Sequence, residues 1–178
     1  ESARLIGNKQ YESASIHGLG LFYERKGNYE QAIEEYKKAI VINRESGFYE
    51  YLGNNLIQMA NSYSQLNKPE EAINTYKEAY SVYRQIGTPW NEAVALNGMA
   101  RENLSLNNRA QATKLAQEAL FIGDSLQDIR IQVESHRNLY LIHKAGDSYR
   151  QALEHLELFI KGADSVQLAE KTALLDEI

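Results

Sequence analysis

The chain matches itself at a shift of 40 residues, and no other feature of the sequence restricts its fold so tightly. Ala32, Ala72, Ala112 and Ala152 fall in register, as do Tyr36, Tyr76, Ala116 and Leu156. Ala39, Ala79, Ala119 and Phe159 follow three residues later. Upstream, Leu19, Met59, Met99 and Leu139 align, followed by Tyr23, Tyr63, Asn103 and His143. Arg4, Arg44 and Arg84 each stand three residues before a glycine, at Gly7, Gly47 and Gly87. Asp124-Ser125-Leu126-Gln127 returns as Asp164-Ser165-Val166-Gln167. No insertion is needed anywhere. Self-similarity at a fixed period of this size marks a stack of like units, none of which buries its apolar face alone.

Each unit reads as two helices. Ile16, Leu19, Gly20 and Tyr23 recur at i, i+3, i+4 and i+7, one face of a helix, and Ala32, Tyr36, Ala39 and Ile40 form a second such face. Small residues at Gly20 and Ala32 predict a close approach of the two backbones, with Tyr23 and Tyr36 filling the space alongside. The breakers between the paired helices are Lys26-Gly27-Asn28, Asn67-Lys68-Pro69, Asn107-Asn108-Arg109 and Gly146-Asp147-Ser148. Asn108, Ser148 and Thr88 are expected N-caps, Pro69 and Pro89 first-turn prolines, and Gly47 and Gly87 left-handed C-caps. Tyr11, Tyr49 and Tyr51, and Trp90 beside Pro89, are expected to pack between repeats.

The pattern resembles the tetratricopeptide repeat (TPR), in which a large residue, Leu-Gly and Tyr precede Ala and an aromatic at set spacings. Ile16-x-x-Leu19-Gly20-x-x-Tyr23 with Ala32-x-x-x-Tyr36-x-x-Ala39 carries it in the first unit. Leu56, Met59, Ala60 and Tyr63 with Ala72, Tyr76 and Ala79 carry it in the second. The later units are weaker, with Ala116 and Leu156 in place of the aromatic. The period is 40 rather than the usual 34, and Arg44 and Arg84 stand where the family has a proline. Such elongated repeats are similar to those of bacterial sensor and regulator proteins.

The resemblance implies an all-α fold: a right-handed superhelical solenoid of antiparallel helix pairs with a concave wall made by the first helices. The whole of 1–178 is expected to form one array. Residues 1–10 would close a preceding repeat, with repeats at 11–47, 48–87, 88–127 and 128–164, and a capping helix or linker at 165–178. The chain begins with Glu1 rather than Met, so it reads as a piece of a longer protein whose array continues N-terminally. Groove positions carried over from the family place Asn54, Asn61, Asn97, Arg101 and Arg137 on the concave wall. Asparagine amides suit a peptide backbone and arginines suit a carboxylate. The lysine-rich clamp of TPR co-chaperones is absent from the matching positions.

Composition narrows the function further. A net charge of −5 argues against holding a nucleic-acid backbone, and runs such as Ala39-Ile40-Val41-Ile42 are too short to span a bilayer. With no cysteine there is no disulfide or thiolate chemistry; the compartment stays open, with cytoplasm favoured over periplasm. Of the histidines, His136 and His143 lie seven apart, but with Asp147 they match no metal-ligand spacing and are expected to pack. No catalytic, cofactor or metal site is expected. The sequence therefore points to a non-catalytic scaffold that binds a protein or peptide within a larger signalling protein. The alternative is a structural module that self-associates through its repeat ends.

Overall fold

A computed structural model describes residues 2–176, with side chains described over 8–168. Among the described residues there are eight helices and no strand: α1 (Ser2–Arg25), α2 (Tyr29–Ser46), α3 (Tyr49–Gln65), α4 (Pro69–Ile86), α5 (Pro89–Ser105), α6 (Arg109–Leu126), α7 (Ile129–Ala145) and α8 (Tyr149–Asp176). Every helix packs on its neighbours in sequence, and α5 also reaches α3 and α7. This is the right-handed solenoid of antiparallel helix pairs.

The repeated positions form the core. Ala32, Ala72, Ala112, Ala39, Ala79 and Ala119 are fully buried, as are Tyr36 and Tyr76. Burying an aromatic or large aliphatic side chain contributes about 1.5–3 kcal/mol, so the tyrosines anchor their pairs. The glycines on the first helices admit these rings rather than a second backbone. A Cβ on Gly20 would lie 2.4 Å from the Tyr36 ring, and one on Gly98 would lie 2.5 Å from the Tyr76 ring.

The turns also keep the 40-residue register. Gly27, Asn67, Asn107 and Asp147, one in each pair, all have positive φ, as do Gly47, Gly87 and Gln127 between pairs. At Gly47 the Phe48 amide donates to the Asn43 carbonyl at 2.9 Å, satisfying a group the helix end leaves open. The expected caps at Asn108 and Thr88 do not form: neither side chain accepts from the helix, and the Thr88 hydroxyl donates to the Tyr83 carbonyl instead. The Ser148 hydroxyl likewise donates back to the Gly146 carbonyl. Asn108 stands at ψ 60° and Thr88 at ψ 79°, short of the extended backbone an N-cap needs. Asp128, at ψ 107°, has that backbone and accepts from the Arg130 and Ile131 amides.

The ends depart from the expected boundaries. α1 is one helix across Gly7, and α8 runs through residues 164–167 without the turn made by the near-identical 124–127. The side chains of 1–7 and 169–178 lie outside the described residues. Tyr11, Tyr49 and Tyr51 are exposed rather than buried between repeats, with the Tyr51 hydroxyl accepting from Gln10 of α1 at 3.1 Å.

Candidate functional site

The first helices of all four pairs open onto one cleft of about 610 Å³. Leu21, Glu24 and Arg25 enter it from α1, Gln58, Asn61 and Gln65 from α3, Arg101 from α5 and Arg137 from α7, with Tyr29 at the start of α2. The spacings within α1 and α3 are those of residues sharing one helical face. A second cavity of about 240 Å³ continues from Asn61 and Arg101 towards Trp90, Val94 and Ile131.

A hydrogen-bonded chain fixes the wall between the two cavities. The Tyr76 hydroxyl donates to Asn61 Oδ1 at 2.5 Å and accepts from Arg101 Nη2 at 2.8 Å. Arg101 Nε donates to Glu102 Oε1 at 3.0 Å, and the Ser64 hydroxyl donates to the same oxygen at 2.7 Å. Burial pushes the Tyr76 phenol up to about 12, against the opposing pull of Arg101, so it stays a neutral donor and acceptor. Arg101 is therefore held in place by two partners while its remaining N–H groups face the cavities. Arg137 is freer: half-exposed, with only a 3.5 Å contact to Glu134. Glu24 is the one carboxylate lining the larger cleft, and it accepts from the buried Tyr36 hydroxyl at 2.7 Å. Three arginines and three amides otherwise face the space.

The structure separates the five sequence-predicted residues. Asn61, Arg101 and Arg137 meet at the larger cleft. Asn54 is exposed but lines neither cavity, and its Oδ1 accepts from the Tyr83 hydroxyl at 2.8 Å. Asn97 borders the second cavity but is 3% exposed and joins first helix to first helix: its amide bonds Ser135 at 3.0 Å, and its Oδ1 accepts from Asn138 at 3.0 Å. The repeat register explains the difference. His17 bonds Asn55 at 3.0 Å through the same pair of repeat positions that joins Asn97 to Ser135. That position points sideways into the next unit, and its polar residues are spent there. Tyr29 and Gln58 were not expected in the cleft. Gln58 could have been found from its i−3 spacing to Asn61; Tyr29 follows a turn and has no such signal.

Three of the four histidines form a separate cluster. His136 and His155 approach at 3.1 Å through their Nδ1 atoms, and His143 stacks on His155 with ring centroids 5.4 Å apart. Burial holds His136 below its ordinary pKa; burial and then the neighbouring rings do the same for His155. Trp90 donates to Asp128 at 3.1 Å and lies under the Arg130 guanidinium, so it bridges two repeats at their surface.

The tetratricopeptide repeat family model matches residues 12–85. Solved structures extend the likeness of fold across the rest of the array. BtubC from P. vanneervenii superposes with a TM-score of 0.78 at 20% identity, over 89% of this chain and 66% of that one. Aspartyl phosphate phosphatase F from Bacillus subtilis superposes at 0.79 and 17% identity, over 94% of this chain and 43% of its own. A signal transduction ATPase with numerous domains carrying a tetratricopeptide repeat sensor, from Pyrococcus horikoshii, superposes at 0.75 and 22% identity, over 98% of this chain and 26% of its own. The chain thus spans about two thirds of the first of these proteins and less than half of the others. A comparison with curated protein sequences gives no match.

Proposed function

We propose that the array is a non-catalytic scaffold whose cleft binds a peptide segment bearing carboxylates, within the interaction or sensory region of a larger signalling protein. The observation that carries this reading is the cleft itself, into which all four first helices send polar side chains, with Arg25, Arg101 and Arg137 facing it, Glu24 the one carboxylate among its described lining residues, and Glu102 and Glu134 pairing with Arg101 and Arg137 from beside it. Arginine offers a planar fork that matches a carboxylate, and a guanidinium already held by its neighbours loses little freedom on binding. Asn61, Gln58 and Gln65 supply amides that both donate to and accept from an extended backbone. The solved protein described as carrying a TPR sensor supports a sensory setting.

Fluorescence anisotropy with labelled peptides of alternating Glu and Ala, or of alternating Lys and Ala, tests the charge preference. The acidic peptide is expected to bind and to weaken as salt rises. Arg101→Gln combined with Arg137→Gln is expected to cost at least about tenfold in affinity, the scale of losing one charged contact of 1.4 kcal/mol or more. Equal binding of both peptides, or unchanged affinity in the double variant, contradicts the reading.

A further inference from the structure

The cleft leaves one cluster of ligand-type side chains unused. None of His136, His143 and His155 lines either cavity of the concave wall. The 40-residue register brings these three together. One unit earlier the same positions hold Leu96, Asn103 and Leu115, which line a cavity of about 300 Å³ among α4, α5 and α6. One unit before that they hold Leu56, Tyr63 and Thr75. In the fourth pair all three positions are histidine, so three of the chain's four histidines gather where α7 packs on α8.

Two of the rings meet nitrogen to nitrogen. Nδ1 of His136 and Nδ1 of His155 lie 3.1 Å apart, with ring planes inclined by 31°. Without an ion, one nitrogen donates a proton and the other accepts it. A divalent ion replaces that proton once the donor ring carries its hydrogen on Nε2 instead. The separation suits the exchange. Two imidazole nitrogens about 2.0–2.1 Å from one ion stand about 2.8–3.4 Å apart, from a right-angled to a tetrahedral arrangement. Both rings are held below the ordinary histidine pKa, so both are in the neutral form that binds a metal at pH 7. His143 stacks within 6° of parallel on His155 and holds that ring in place. Among the described residues no third His, Cys, Asp or Glu joins them in a group with ligand spacing, so water completes the coordination. The two ligands sit on different helices, 19 residues apart, which is why no local spacing announces them.

We propose that His136 and His155 form a two-ligand site for a divalent late transition-metal ion, bound through their Nδ1 atoms. Imidazole ligands suit Zn²⁺, Ni²⁺ and Cu²⁺, whereas Mg²⁺ and Ca²⁺ call for oxygen donors. The site lies wholly within one helix pair and draws on nothing outside it. Bound there, the ion clamps α7 to α8. It stabilises the folded chain, because the unfolded chain does not hold the two nitrogens together.

Calorimetric titration of the whole chain, free of any affinity tag and stripped with a chelator, tests this with ZnCl₂ at pH 7.5. One Zn²⁺ per chain is expected to bind, the melting temperature is expected to climb with Zn²⁺ concentration, and MgCl₂ is expected to do neither. In nitrogen NMR spectra Zn²⁺ should move the Nδ1 resonances of His136 and His155. That of His17, which bonds Asn55, should stay in place. His136→Gln and His155→Gln are each expected to weaken Zn²⁺ binding at least about tenfold, since losing even an outer partner of a metal ligand costs about 10–100-fold. Should either variant lose its helical circular dichroism, the NMR resonances of the parent decide. A parent chain that binds no Zn²⁺, Zn²⁺ shifts that fall on other side chains, or unchanged affinity in both folded variants overturns the proposal.

Discussion

Single side chains decide how the cleft is held, and Tyr76 is the most consequential of them. Its ring fills the space left by Gly98, and its hydroxyl ties Asn61 to Arg101. Gly98→Ala would gain helix propensity of about 0.5–1 kcal/mol. It would also force a methyl to within 2.5 Å of a ring that is 1% exposed and tied by its hydroxyl to Asn61 and Arg101. Overpacking of this kind costs about 1–3 kcal/mol, so a net loss of about 1 kcal/mol is expected, read as a lower urea midpoint at an unchanged slope. The histidine cluster gives a pH prediction. One Nδ1 of the His136–His155 contact must accept, so the pair cannot stay bonded with both rings charged. Both pKa values lie below the ordinary 6.5 in the folded chain, even though Asp124 pulls His136 upward and Glu154 pulls His155 upward. The unfolded chain therefore takes up protons first as the pH falls. This share of stability is complete above about pH 6.5 and declines below it. Thermal melts from pH 7.5 to 5.5 should show the decline, and His155→Gln should flatten it; parallel curves for parent and variant would refute the assignment.

At the scale of helices and turns, the 40-residue register was legible in the sequence almost throughout, because a buried alanine or tyrosine leaves a mark at each repeat. Gly47 and Gly87 were readable as left-handed C-caps for the same reason. Gln127 was not: it occupies the same turn at φ 53° with a side chain that gives no signal of it. A left-handed conformation costs a non-glycine residue about 1–2 kcal/mol, part of which glycine returns through its looser unfolded state. Gln127→Gly is accordingly expected to raise stability by about 0.5–1 kcal/mol, measured as a higher urea midpoint. The N-caps misread at Asn108 and Thr88 have a related cause. Residue type marks a capable side chain, whereas that residue's own backbone angle decides whether the side chain can reach the helix. Asn97 shows the same limit for the cleft. The groove positions carried over from the family placed it on the concave wall, where it borders the second cavity, but only packing shows that its amide is spent on Ser135 and Asn138.

For the whole molecule, stacking does two things at once. It buries faces that no single pair could hide, and it aligns four first helices so that residues as distant in sequence as Leu21 and Arg137 line one space. The cleft is the feature on which the functional account stands, and amide NMR spectra of the chain titrated with an acidic peptide test it most directly. Shifts are expected to concentrate on α1, α3, α5 and α7 around Gln58, Asn61, Arg101 and Arg137, leaving α4 and α6 largely unmoved. Shifts confined to the outer helices, or spread without preference over both faces, would contradict it.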